Sequence, residues 1–437
     1  MLQSETVKKY DTYKDSGIEW IGEIPQEWTV GNLKRLTDFI KNGTSATQVE
    51  NETEYKVSRI ETISTGEINY SKTGYVQYFD NIDDYKLNSN DILFSNINSL
   101  EMVGNVAIYD NKESLYSGMN LLRISVNKNC CPKWLFYVLK NSYFKEQVKA
   151  NAKHAINQVS ISVGRLSQIP IIIPIKDEQQ QIADYLDKKC GEIDKVVETE
   201  KSVIEKLKEY KQSIITEAVT KGLDKSVPLK DSGIEWIGKI PQHWDVCKLL
   251  KLYKERKCKN KGNIETNVLS LSYGNIKKRN VKNNMGLLPE SFETYNIIIP
   301  NNIVLRLTDL QNDHKSLRCG LVKEQGIITS AYVTLEKKID RISSNYYYRL
   351  LYTFDIMKGF YGMGDGVRQN LKYDGELCNL LVVKPPFEEQ QQIAKYLDNK
   401  CSEIDKAIAD KEQVIEKFTE YKKSLIYECV TGKRKVV

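Results

Sequence analysis

Glu178 to Lys195 reads EQQQIADYLDKKCGEIDK, and Glu389 to Lys406 reads EQQQIAKYLDNKCSEIDK: the same eighteen-residue block returns 211 residues later with three differences. The likeness continues from Glu205 (EKLKEYKQSIITEAVTKG) to Glu416 (EKFTEYKKSLIYECVTGK). A second block, KDSGIEWIGEIPQEWTV at Lys14–Val30, returns as KDSGIEWIGKIPQHWDV at Lys230–Val246, again with three differences, and the two copies hold four of the five tryptophans. Residues 31–157 and 247–368 share little that aligns. An internal repeat dictates architecture. The plan is therefore entry segment, variable domain and long repeated segment, carried out twice.

The repeated segments lack proline and are rich in Glu, Lys, Gln, Ile and Leu, which predicts long helices of about 43 residues each. Pro174 precedes the first, and Pro385-Pro386 precede the second, where a helix can begin. Heptads run through Leu186, Ile193, Glu200, Leu207 and Ile214 with Cys190, Val197, Ile204, Lys211 and Ala218. In the second they run through Leu397, Ile404, Lys411, Phe418 and Leu425 with Cys401, Ile408, Ile415, Lys422 and Cys429. A two-position stripe needs a partner helix, so the two copies are expected to pair as a coiled coil. Pairing of duplicated copies around a pseudo-twofold axis makes the pair antiparallel and places the variable domains at opposite ends. The end of the second helix then falls beside the first entry segment. Glu200 and Lys411, opposite charges at equivalent stripe positions, are expected to meet across that axis.

These elements divide the chain into an entry segment (1–30), a first variable domain (31–177), the first long helix (178–222), a linker with the second entry segment (223–246), a second variable domain (247–388), the second long helix (389–431) and a basic tail (432–437). The fold class is α+β: two mixed domains joined by an antiparallel helix pair with internal duplication. Within the domains, Asp91–Ser95 and Leu380–Val383 read as apolar strands. The interface of the pair is assigned to Leu186, Ile193, Val197, Glu200, Ile204, Leu207, Leu397, Ile404, Ile408, Lys411, Ile415 and Phe418. Trp20, Trp28, Trp236 and Trp244 are expected in the core.

With 437 residues, 41% hydrophobic and 28% charged, the chain is an ordinary globular composition, and no window approaches the ~18 apolar residues of a membrane helix. Its first residues show neither a basic start nor an apolar stretch, so a cytoplasmic location is expected. Nine scattered cysteines without a C-x-x-C pair read as reduced thiols, and His314 near Cys319 is too sparse a set for zinc. No phosphate loop ending in Gly-Lys-Ser/Thr occurs. Gly362-Met363-Gly364-Asp365-Gly366 lacks the strand and helix of a cofactor turn and reads as a plain loop. Lys384-Pro385-Pro386-Phe387 resembles the Asn/Asp-Pro-Pro-aromatic tetrad of adenine methyltransferases, but a lysine stands where the acceptor must be. No catalytic residue, metal site or bound cofactor is assigned.

Charge points to a polyanion. Residues 247–388 hold 23 Lys/Arg against 14 Asp/Glu, whereas residues 31–177 hold 17 against 15. A basic second domain on a near-neutral scaffold is the footprint of nucleic-acid binding. Arg, Lys and Asn read base edges, and Lys, Ser and Tyr hold phosphates. On that basis Tyr70, Lys72, Asn96 and Asn98 in the first domain, and Tyr273, Lys277, Arg279, Arg306, Arg318 and Arg368 in the second, are the candidate DNA contacts.

The duplicated Ser-Gly-Ile-Glu-Trp-Ile-Gly entry segments at Ser16 and Ser232 and the Glu-Gln-Gln-Gln-Ile-Ala helix openings at Glu178 and Glu389 closely resemble the DNA-specificity subunit of type I restriction-modification enzymes. Asp91-Ile92-Leu93-Phe94-Ser95, Val304–Asp309, Gly326–Tyr332, Asn157-Gln158 and Gln369-Asn370 add to the resemblance, which covers nearly the whole chain. The resemblance implies that each variable domain recognises one half of a bipartite, asymmetric DNA target and that the helices set the spacing. It implies two methyltransferase subunits and two restriction (motor-nuclease) subunits as partners, with S-adenosylmethionine, ATP and Mg held by those partners and none by this chain. The chain itself would then be non-catalytic, in a complex that is an adenine-N6 DNA methyltransferase and ATP-dependent endonuclease. A coiled-coil adaptor that binds no DNA is the rival reading, set apart by salt-dependent DNA binding. A methyltransferase fusion, the second rival, would need the intact tetrad and a cofactor loop.

Overall fold

The computed structural model describes residues 8–156, 158–279, 291–311, 317–363 and 370–436. Arg368, Asn157, His314 and Gln369, all singled out above, lie outside the described residues, as do Gly364 to Gly366. The chain divides into two compact units: residues 1–201 with 412–437, and residues 202–411.

The first long helix is Lys176–Lys221 and the second Phe387–Val430. Each opens with acidic residues, Asp177 and Glu178 in one and Glu388 and Glu389 in the other, where carboxylates favour the positive end of the helix dipole. Gly222, at φ +75°, ends the first helix: its N–H returns to the Ala218 carbonyl in a left-handed conformation that costs a glycine little.

In the first unit the start of the first helix packs against the end of the second, and Leu186, Cys190 and Ile193 share a core with Leu425, Ile426 and Cys429. Arg434 reaches the Tyr185 hydroxyl and Lys422 bridges Asp194, so the helices run antiparallel. In the second unit Lys211 bridges Asp405, and Ile214 and Ala218 share a core with Leu397, Cys401 and Ile404. The two bridges join repeat-equivalent positions, Asp194 with Lys422 in the first unit and Asp405 with Lys211 in the second. Lys211 and Lys422 occupy stripe positions, and the two bridges show how the seam tolerates them. Glu200 and Lys411, both half-buried, fall in different units. Burial is uneven along the stripe. Leu186 and Leu397 are fully buried, whereas Val197, Leu207, Ile408, Ile415 and Phe418 are half-buried, as expected where only two helices cover one another.

The variable domains share an outline that their sequences conceal. In the first unit a four-stranded antiparallel sheet runs in the order Val106–Ile108, Ile92–Ser95, Leu121–Val126, Thr37–Asn42, and the helix Pro132–Lys140 buries Trp134, Leu135 and Leu139 in the core it forms. In the second unit the order is Tyr253–Glu255, Val333–Lys337, Ile303–Leu305, Cys319–Leu321, and the helix Ser344–Ile356 supplies Tyr346, Tyr347, Leu350 and Leu351. The way in and the way out are also alike. Thr29–Asn32 pairs antiparallel with Pro170–Ile173, and Asp245–Lys248 with Leu381–Lys384, so each domain begins and ends on two adjacent strands. Lys384-Pro385-Pro386 is the turn from strand to helix.

Trp28 and Trp244 are wholly buried, as the sequence predicts, and Trp20 and Trp236, half-buried, pack against the edges of the same two cores. Trp236 lays its ring against the buried Phe354, with centroids 5.1 Å apart.

Candidate nucleic-acid interface

The repeated blocks meet at a joint built twice. The Trp28 indole donates to Glu178 Oε2 at 2.8 Å, and the Trp244 indole donates to Glu389 Oε2 at 2.8 Å. The adjacent glutamine works in two directions. Gln179 donates to the Pro174 carbonyl at 3.0 Å and accepts from the Cys131 N–H at 2.9 Å; Gln390 donates to the Pro385 carbonyl at 2.8 Å and accepts from the Ser343 N–H at 2.9 Å. Both glutamines are about 1% exposed, where an unpaired amide would be costly. Each joint thus ties entry segment, proline turn and the first helix of the variable domain to the start of a long helix. This is the physical content of the Trp and Glu-Gln repeats: they mount each variable domain on the start of a long helix.

The candidate DNA contacts divide by exposure. In the first domain Lys72 is exposed at the end of the short helical turn Tyr70–Lys72. Tyr70 is partly covered, and its hydroxyl donates to Asp110; burial, then that carboxylate, push the phenol well above its ordinary range. Asn98 is half-buried, donating to Ser95 Oγ at 3.1 Å and accepting from the Ser99 N–H at 2.8 Å. Asn96 is 6% exposed and cannot reach a groove, because it lies under the strand pairing in which its carbonyl accepts from the Ile161 N–H; the expectation of a DNA contact is corrected there.

In the second domain Tyr273 is 78% exposed at the turn of the hairpin Leu269–Ser272/Asn275–Lys278, with Lys277 exposed on the returning strand and Arg279 just beyond it. Tyr273 has φ +47°, a conformation rare for an aromatic residue, and the Tyr348 hydroxyl braces the turn by donating to the Gly274 carbonyl at 3.3 Å. Arg318 is a correction. It is fully buried, and its guanidinium donates to the carbonyls of Arg306 at 3.1 Å and Thr308 at 2.9 Å and to the Tyr361 hydroxyl at 3.2 Å. Its role is to hold the 306–309 segment, on which Arg306 is half-buried. A positive charge read from sequence as a groove contact proves to be an internal brace.

Two features escaped the sequence reading. A cavity of about 620 Å³ in the second unit is lined by Lys211, Asp405, Cys401 and Tyr348, and one of about 390 Å³ in the first unit by the repeat-equivalent Lys422, Asp194, Cys190 and Tyr137. The other is Ile156, 93% exposed on a hairpin that the local sequence does not announce. Among the described residues no group of three or more His, Cys, Asp or Glu is placed to hold a metal ion, and no helix is long and apolar enough to cross a membrane.

Comparison with known proteins gives three findings. The family model for the type I restriction modification DNA specificity domain matches residues 25–209. A Methanocaldococcus jannaschii protein assigned as the MjaX specificity subunit of a type I restriction enzyme is 32% identical over 95% of this chain and 96% of its own; the MjaVIII specificity subunit of the same organism is 25% identical over 94% of each. Among solved structures, a chain from work on complex assembly and conformational transition of the type I R-M system superposes with a TM-score of 0.68 at 13% identity, covering 93% of this chain and 98% of that one. The HsdS subunit from Thermoanaerobacter tengcongensis follows at 0.50 and 13%, covering 94% and 98%.

Proposed function

The chain belongs to the type I restriction-modification DNA specificity family, and from that premise we propose that its two variable domains recognise the unlike halves of one bipartite DNA target. It is a specificity subunit. The observation that carries the proposal is the twice-built joint: two domains of unrelated sequence are mounted on the helix pair through the same Trp–Glu and Gln contacts. Equal mountings with unequal surfaces suit a reader of two different half-sites. The exposed Tyr273 and Lys277 of the second domain, with the half-buried Arg279 beside them, suit phosphate and base contacts.

In this reading the chain does no chemistry. It scaffolds two methyltransferase and two restriction subunits in the cytoplasm, and S-adenosylmethionine, ATP and Mg belong to those partners. The test is co-expression with a type I methyltransferase subunit from the same genome in a host free of adenine methylation, followed by single-molecule sequencing. A bipartite motif with different halves and one marked adenine in each is the expected result. A soluble complex that marks nothing overturns the proposal and leaves the adaptor reading.

A further inference from the structure

We propose that the hairpin Lys153–Ala155/Gln158–Ser160 is a two-stranded ribbon that enters the DNA major groove in the first recognition domain, with Ile156 reading base edges by apolar contact. The proposal rests on the DNA-recognition reading above and names a part of the site that the charge pattern did not reveal.

Ala155 pairs with Gln158, which puts Ile156 in the turn, and Ile156 is 93% exposed. The strand Lys153–Ala155 is exposed at all three residues, so neither face nor its outer edge is covered by the protein. An uncovered edge strand with an isoleucine at its tip is a liability that folded proteins normally blunt. A ribbon that spends its working life in a groove has its cover there.

The ribbon is rigidly mounted. Its second strand pairs with Ile97–Asn98, Ser162 caps the short helix Val163–Gln168 that follows, and the Arg165 guanidinium donates to the Asn151 carbonyl at 3.0 Å. Charge identifies the occupant. From Gln147 to Lys176 there is no Asp or Glu; Lys149 is paired with Glu146, whereas Lys153 and Arg165 are exposed cations beside the hairpin. Such a stretch complements phosphates, not an acid-base mixed protein surface. The major groove, about 12 Å wide, admits a two-stranded ribbon, and the minor groove does not; the apolar group offered in the major groove is the thymine C5-methyl. Ile156 therefore reads an A·T pair, with Gln158 beside it as an amide for a neighbouring base edge, and Lys153 holds phosphate.

The experiment uses the full chain in complex with its methyltransferase subunit. The wild-type complex first defines the motif by single-molecule sequencing, and a duplex carrying that motif is the binding probe. Ile156→Ala is expected to lower affinity for the duplex about tenfold and to relax one A·T position in one half-site only. Lys153→Gln is expected to weaken all duplexes alike and to lower the slope of log K against log salt by about one. Both residues are exposed, so folding and co-elution with the methyltransferase should be unchanged. An unaltered motif and affinity with both substitutions overturns the ribbon alone. Loss of co-elution with Ile156→Ala overturns it in favour of a protein partner. A wild-type complex that marks no motif overturns the specificity reading itself, and this proposal with it.

Discussion

Replacing Trp244 by phenylalanine tests whether the joint holds the second recognition domain. The indole is wholly buried and donates at 2.8 Å to Glu389. A hydrogen bond to a charged group contributes about 1.5–3 kcal/mol. The Glu389 side chain is 34% exposed and also contacts His243, so water and imidazole take up part of the loss and the lower end applies. The missing part of the ring leaves a void of roughly 40 Å³, worth roughly 1 kcal/mol at about 24 cal/mol per Å³. The expected cost is therefore about 2.5 kcal/mol, a little under a hundredfold in the local opening equilibrium. Because a two-unit chain need not unfold in one step, the assay is native-state hydrogen exchange read by mass spectrometry, peptide by peptide. Peptides from residues 230–270 and 387–404 should lose protection, and those of residues 14–40 should not; Trp28→Phe should give the reverse pattern. A loss below about 1 kcal/mol in the second unit would refute the joint as an energetic link.

Four further outcomes follow from the same geometry. Leu186→Ala and Leu397→Ala, both at fully buried positions, should each cost about 2–5 kcal/mol in the hydrogen-exchange protection of their own unit, against about 1 for half-buried Leu207→Ala. Asp405→Asn breaks the Lys211 bridge, whose carboxylate is 58% exposed, and should cost less than about 1 kcal/mol, a difference that vanishes in molar salt. Arg318→Met should cost about 2–4 kcal/mol by leaving the Arg306 and Thr308 carbonyls without their donor, while Arg318→Lys leaves the methylated motif unchanged, since the side chain braces a loop and reads no base. Titration of the native chain with a disulfide reagent should show Cys258, the exposed cysteine, reacting first; Cys429, whose thiol burial pushes up to about 12, should react only on unfolding.

Sequence carried the architecture well and the site poorly, for a physical reason in each case. Helix pairing leaves a periodic mark, because every buried turn of Lys176–Lys221 must repeat the stripe, and the duplicated blocks doubled that signal. The joint was visible as Trp and Glu-Gln repeats, although what they bond was not. The domains hid their common outline because a strand buried on both faces asks only for a short run of residues that can be buried, which Ile92–Ser95 and Ile303–Leu305 supply with different residues. Arg318 and Asn96 misled because charge and amide content say nothing about accessibility: the same guanidinium that grips a base can brace a loop. Ile156 was missed for the converse reason. Isoleucine reads as core, and only its placement in a turn that follows a fully exposed strand shows otherwise.

The adjacency of the first and last strands of each recognition domain has an evolutionary consequence. Thr29–Asn32 lies beside Pro170–Ile173, and Asp245–Lys248 beside Leu381–Lys384, so each domain is inserted through a socket whose two terminals are neighbours. Whatever sequence is spliced between them enters and leaves on the same two strands and rests its own helix on the scaffold, as Tyr137 does on Asp187, while the joint residues outside the insert stay put. A recombination event between the two repeated blocks can therefore exchange a whole half-site preference in one step, while drift inside the insert alters it gradually. The duplicated flanks supply the homology for such exchange, which makes the scaffold that orients the reader also the template for replacing it.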